Sequence, residues 1–222
     1  MPKFATTTAV TTVLDIPAGH IRLIAADRTD AVVEVRPANP NKSRDVQTAE
    51  QTEVTFTDGV LRIATAPPKN RILGHPGALE VTVQLPLGSR VEAKTADTEL
   101  RGVGRLGEVT LDTARGTVKL DEAAGATLTL QDGSIEIGRL TGPADLTTTR
   151  GDLTVTEATR GALRLTTQSG SITVGVARGT SASLDAGTAL GRIHNALRNT
   201  DDTPAVTIHA TTAMGDITAR TA

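Results

Sequence analysis

The chain repeats itself, and the repeat is short. Aligned on a mid-repeat glycine, four consecutive segments recur at 17 to 19 residues: EVTLDTARGTVKLDEAAG (108–125), ATLTLQDGSIEIGRLTG (126–142), PADLTTTRGDLTVTEATRG (143–161) and ALRLTTQSGSITVGVARG (162–179). A weaker copy, VEAKTADTELRGVGRLG, occupies 91–107. Two more follow: TSASLDAGTALGRIHNAL from 180 and AVTIHATTAMGDITARTA at 205–222. A unit this small cannot bury a face by itself, so it must stack on its neighbours.

Within each copy the hydrophobic period is two. Val109 and Leu111 alternate with Thr110 and Asp112; Val118 and Leu120 then alternate with Thr117 and Lys119. The later copies repeat the pattern with Leu128/Leu130 and Ile135/Ile137, then Leu163/Leu165 and Ile172/Val174. Such alternation marks half-buried strands. Gly116, Gly133, Gly151, Gly170 and Gly215 punctuate the middle turn of a copy, where glycine reaches positive φ without steric cost. Two architectures accommodate strand–turn–strand at this period: a series of hairpins in a sandwich or meander, or a solenoid whose equivalent strands pair in parallel. Equivalent positions carry similar aliphatic residues in copy after copy, which favours the solenoid.

The expected fold is therefore all-β: a β-solenoid-like stack of short strand–turn–strand repeats over 91–222, continuous with an irregular β N-terminal section over 1–90 that caps it. In that section TTVLDIP (11–17), HIRLIAA (20–26), AVVEVRP (31–37), EVTFT (53–57), VLRIATA (60–66) and LEVTVQLP (79–86) read as strands, with Asp58-Gly59 as a hairpin turn. ANPNKSRDVQTAEQ (38–51) and PPKNRILGHPG (67–77) read as loops. Stacking the copies by eye puts Thr110, Thr129, Thr147, Arg164, Ser183 and Thr207 in one outer column, and Thr117, Ser134, Asp152, Ser171, Arg192 and Asp216 in another. Charges interrupt both, so neither is the flat, uniform threonine face of an ice-binding solenoid.

Composition narrows function. Phe4 and Phe56 are the only aromatics, so the core must be thin and aliphatic. A formal charge of −2 with no Lys or Arg run argues against a nucleic-acid surface, and the lack of Trp and Tyr removes stacking platforms for single strands. Without cysteine there is neither a disulfide framework nor a thiolate metal site. The opening MPKFATTTAV lacks the apolar core of a signal peptide, and no apolar run reaches spanning length, so a cytoplasmic protein without membrane insertion is expected.

No chemistry-bearing motif survives its context. Gly102-Val103-Gly104-Arg105-Leu106-Gly107 matches the dinucleotide fingerprint, but a strand pattern follows it where a phosphate-binding helix is required. Ser169-Gly170-Ser171 lacks the flanking glycines of a nucleophile elbow. His20, His75, His194 and His209 form no zinc-ligand spacing, although His209 is expected one coil from Asp185. The recurring Asp97, Asp112, Asp132, Asp152 and Asp216 lack the glycine-rich nonapeptides of a calcium β-roll. The expectation is a protein that is not an enzyme, with no cofactor and no metal.

The steps Gly151-Asp152-Leu153-Thr154-Val155 and Gly170-Ser171-Ile172-Thr173-Val174, and the closing Gly215-Asp216-Ile217-Thr218-Ala219, resemble the bacterial β-strand-repeat family known as "putative adhesin", a domain of unknown function. VLDIPAGHIRLIAADRTDAVVEV (13–35) and LEVTVQLPLGSRVEA (79–93) are similar to that family's N-terminal part. The resemblance spans nearly the whole chain and implies a fold but no mechanism. The preference for Arg over Lys, with much Ala and Thr, is similar to actinobacterial members.

Two functions are open at this point. One is a non-catalytic cytoplasmic binding or scaffold protein that offers its ribbed surface to a protein or small ligand. The other, implied by the resemblance, is an adhesin-like or envelope-stress component at the bacterial surface. The candidate interaction surface is the break in the pattern after Gly191: Arg192, His194, Arg198, Asp201 and Asp202. Self-association through one solenoid end is also expected, with DITARTA (216–222) as the unpaired last strand.

Overall fold

The computed structural model describes residues 1–66, 77–198 and 203–222. Its strands are β1 (Lys3–Ala5), β2 (Thr11–Asp15), β3 (Ala18–Ala26), β4 (Asp30–Pro37), β5 (Thr52–Thr57), β6 (Val60–Thr65), β7 (Leu79–Pro86), β8 (Arg90–Asp132), β9 (Ile135–Leu140), β10 (Ala144–Arg150), β11 (Leu153–Ala158), β12 (Gly161–Ser169), β13 (Ile172–Val176), β14 (Ala182–Leu190), β15 (Ile193–Ala196), β16 (Val206–Met214) and β17 (Ile217–Thr221). One helix, α1 (Ser43–Glu50), lies between β4 and β5. All 17 strands belong to one hydrogen-bonded sheet, and those on either side of residue 90 are continuous within it.

The repeats stack in parallel, as a solenoid requires. Val118 stands opposite Ile135, and Leu153 opposite Ile172, so successive coils advance by 135 − 118 = 17 to 172 − 153 = 19 residues. The hairpin alternative would have paired the strands within each copy in antiparallel fashion. Leu128, Leu130, Ile135, Ile137, Leu163, Leu165, Ile172 and Val174 are all buried between the two stacks of strands. Aliphatic layers of this kind need no large rings.

The order of the coils departs from the order of the chain at both ends. At the C-terminal end β16 pairs with β12 on one side and β14 on the other, while β17 pairs with β13 and β15. The last coil is thus inserted between 162–179 and 180–197. The expectation that 216–222 forms the free edge is corrected: β17 is an interior strand, and the end of the stack is β14–β15. At the other end the first coil is also one layer in. Strand β2 lies between β6 and β8, and β3 between β7 and β8.

Burial explains the C-terminal insertion. An interior coil is covered on both sides, so that place suits the coil with the better apolar set. Val206, Ile208, Ala210, Ile217 and Ala219 supply one and are all buried. The 180–197 coil has Gly187 in β14 and Asn195 in the column of Val174 and Ala219. It tolerates the exposed end better.

The N-terminal end is finished by antiparallel strands. Strand β4 pairs antiparallel with β7, β1 with β4, and β5 with β6. Strand β1 was not visible as a sequence pattern. Lys3 Nζ ties it to Asp30 at 2.9 Å; the hydrogen bond from Arg28, then that from Lys3, holds the Asp30 carboxyl below its ordinary pKa. Phe4 and Phe56 stack with centroids 5.2 Å apart, closing this end.

The segment 38–51, expected as a loop, contains α1. The helix has no side-chain N-cap, and Val46 and Ala49 are the only apolar residues in it, too few to reveal it by pattern. Buried polar side chains anchor it instead. The Asp45 carboxylate accepts the Asn39 and Ala78 N–H groups at 3.1 and 3.0 Å, and Thr48 Oγ1 accepts that of Gly77 at 3.1 Å. The second expected loop, 67–77, lies outside the described residues except for Gly77.

Threonine registers the middle turns. Thr148, Thr167, Thr212 and Thr188 donate to the carbonyl oxygens of Gly133, Gly151, Gly170 and Gly215 at 3.0–3.1 Å. The outer threonine column must be corrected accordingly. Thr147 faces Thr166, which faces Thr211; Arg164 stands opposite Asp145 and His209. The column that keeps a constant distance from the turn glycines is therefore Thr129, Thr147, Thr166, Thr211, beside a charged one.

Not every buried threonine is satisfied: the Thr98 hydroxyl, 1% exposed as a residue, has no hydrogen-bond partner. Thr167→Val is expected to cost about 1 kcal/mol, whereas Thr98→Val is expected to be neutral or stabilising because it removes an unpaired polar atom. Urea unfolding of both variants checks this; equal losses would contradict the assignment.

Candidate functional site

The C-terminal end is where the core comes closest to solvent. Strand β14 pairs only with β16 and β15 only with β17, so among the described residues the outer edges of β14 and β15 are bare. Ile193 continues the column of Ile172 and Ile217, yet it is 47% exposed and Leu190 is 69% exposed. Asn195 Oδ1 turns back to accept the Leu197 N–H at 3.0 Å. Such an edge leaves main-chain N–H and C=O groups without strand partners.

The predicted residues divide within this end. The Arg192 backbone N–H donates to Asp216 Oδ1 at 2.8 Å, which fixes the start of β15. His194 is exposed and stands opposite Thr218, ending an outer column that runs through Thr154 and Thr173. Arg198 lines a groove of about 570 Å³ together with Arg178 and Arg220; Arg192 and His194 do not line it. Asp201 and Asp202 lie outside the described residues.

Arg178 and Arg220 were missed as site residues. Arg220 reads in sequence as a charge guarding a terminal strand, and only insertion of the last coil brings it beside β15. Its column is Gly175, Arg220, Ala196. No local pattern carries that information, because the neighbours are set by the order of stacking.

Two of the histidines, His20 and His209, make surface pairs. His209 Nδ1 lies 2.9 Å from Asp185 Oδ2, the contact expected from the register, and His20 Nδ1 lies 3.0 Å from Glu99. No group of three or more His, Asp or Glu side chains suited to a metal occurs among the described residues. No described helix is long and apolar enough to cross a membrane.

This fold is shared. Structural comparison finds a "putative adhesin" from Bacteroides fragilis NCTC 9343 at 12% identity, covering 98% of this chain and 95% of that one, with a TM-score of 0.56. A "putative adhesin" from Parabacteroides distasonis is 13% identical over 98% and 95% of the two chains, with a TM-score of 0.43. A "putative cell adhesion protein" from Clostridium sporogenes is 10% identical over 96% and 93%, with a TM-score of 0.40. The first shows the same fold; at these identities none transfers a function. No curated protein matches the chain. The model of a family of unknown function, described as Toastrack DUF4097, matches residues 5–220. With nearly every coil inside that match, the chain belongs to the Toastrack DUF4097 family.

Proposed function

We propose that this chain is a non-catalytic binding module whose open C-terminal coil, β14–β15, is its docking end. The bare edge of that coil, with Ile193 and Leu190 beside it, supports the reading. Main-chain groups on such an edge give affinity by strand addition, and Arg192, His194 and Arg198 around it give selectivity for acidic groups. The same edge supports reversible end-to-end pairing of two copies.

Gly187 offers a clean test. A Cβ at this position meets nothing within 4 Å, so Gly187→Lys puts a charge on the edge strand without disturbing the coil. It is expected to abolish concentration-dependent association in light scattering and to reduce capture of protein partners from native lysate at least tenfold. Arg192→Ala/His194→Ala/Arg198→Ala is expected to weaken capture while leaving strand pairing intact. Unchanged capture by both variants would refute the docking assignment.

The setting is a second part of the proposal. A cytoplasmic module would serve as an internal scaffold; a surface location would make it an adhesin-like component. The name of the Bacteroides fragilis structure favours the surface. Fractionation of the native protein separates the two.

A further inference from the structure

Several cations along the body of the stack are matched by acids one coil away. Arg101 reaches Asp121 at 2.5 Å, Arg115 reaches Asp97 at 3.2 Å and Arg150 reaches Asp132 at 2.9 Å. One outer column alternates in sign: Glu122, Arg139, Glu157. Arg139 lies 2.7 Å from Glu157, which raises the guanidinium pKa, and Arg105 approaches Glu122 at 3.9 Å from the preceding coil.

The alternation stops at Gly175. A register shift after Val155 sets Thr156 and Glu157 against this single residue. No side chain fits there, because a Cβ on Gly175 would lie 1.9 Å from the Thr156 carbonyl oxygen. Arg220 comes next, between Gly175 and Ala196. It therefore has no ladder partner on either side.

Arg178 and Arg198 line the same groove of about 570 Å³. Among the described residues no side-chain carboxylate pairs with any of the three guanidiniums, and the only hydrogen bond of Arg178 is from Nε to the Ala222 backbone oxygen at 2.9 Å. The volume falls in the range of small-molecule sites. Guanidinium groups hold carboxylate and phosphate through paired N–H donors.

We propose that this groove binds a compact multivalent oxyanion, a polycarboxylate or polyphosphate, through Arg178, Arg198 and Arg220. The site goes beyond the docking reading: it shares Arg198 with that reading but rests on the groove rather than on the strand edge.

Calorimetry on the full chain at low ionic strength, with citrate, tripolyphosphate and acetate as probes, tests it. At least one multivalent anion is expected to bind ten times or more tightly than acetate, and which one does so separates carboxylate from phosphate chemistry. Arg220→Gln is expected to weaken that binding at least tenfold with an unchanged thermal midpoint, because the side chain is exposed. Arg198→Gln provides the same readout should Arg220→Gln disturb the fold. Gly187→Lys is expected to leave anion affinity within twofold, so failure of the docking reading and failure of this one are distinguishable. Absence of binding by both multivalent probes, or equal binding by wild type and a folded arginine variant, overturns the proposal.

Discussion

A chain ended after Pro204 is expected to lose two layers of the stack, although it lacks only one. Strands β16 and β17 lie between β12–β13 and β14–β15, so their removal takes away the strands to which the 180–197 coil is paired. The truncation deletes Val206, Ile208 and Ile217, all within 1% of complete burial. At about 1.5–3 kcal/mol for each fully buried aliphatic side chain, their loss alone amounts to roughly 5–9 kcal/mol. For a chain of this size that corresponds to a fall in thermal midpoint on the order of 10–30 °C. In a repeat array stability resides in nearest-neighbour interfaces, and two interfaces are removed here. Calorimetry and hydrogen exchange check the result: amides of 182–196 should lose protection along with the midpoint. A truncated chain with its midpoint unchanged and 182–196 still protected would show that the last coil is terminal after all.

Gly133→Ala is expected to cost about 3–5 kcal/mol, combining backbone strain with overpacking. Gly133 has φ +142°, and a Cβ there would lie 1.6 Å from the Gly116 carbonyl oxygen. Neither fault can relax locally. The Gly133 N–H donates to Arg150 O at 2.7 Å, and its carbonyl accepts the Thr148 hydroxyl, so the turn is tied to the next coil. Moving it would shift the register above. Gly187→Ala makes the control, since a Cβ at that position meets nothing within 4 Å. Chemical denaturation should separate the pair by more than about 2 kcal/mol; similar small losses would show that the glycine column does not set the spacing.

The sequence alone determined what depends on neighbours along the chain. Alternation at period two assigned Leu128, Leu130, Leu163 and Leu165 to the core, where they are buried. The mid-repeat glycines marked the turns, and the vertical match of aliphatic residues identified a parallel stack. These features were legible because a strand's two faces and a turn's positive φ are local properties. Helix α1 was not, since Asp45 and Thr48 hold it through contacts distant in sequence. Only the tertiary structure decided the order of the coils. Any coil can pair with any other through its backbone, so the choice rests on which apolar set gains more from burial on both sides. The coil with Val206, Ile208 and Ile217 took the interior place, which left Ile193 near solvent and set Arg220 beside Gly175. The free edge and the arginine groove follow from that non-local contest, which no window of the sequence contains.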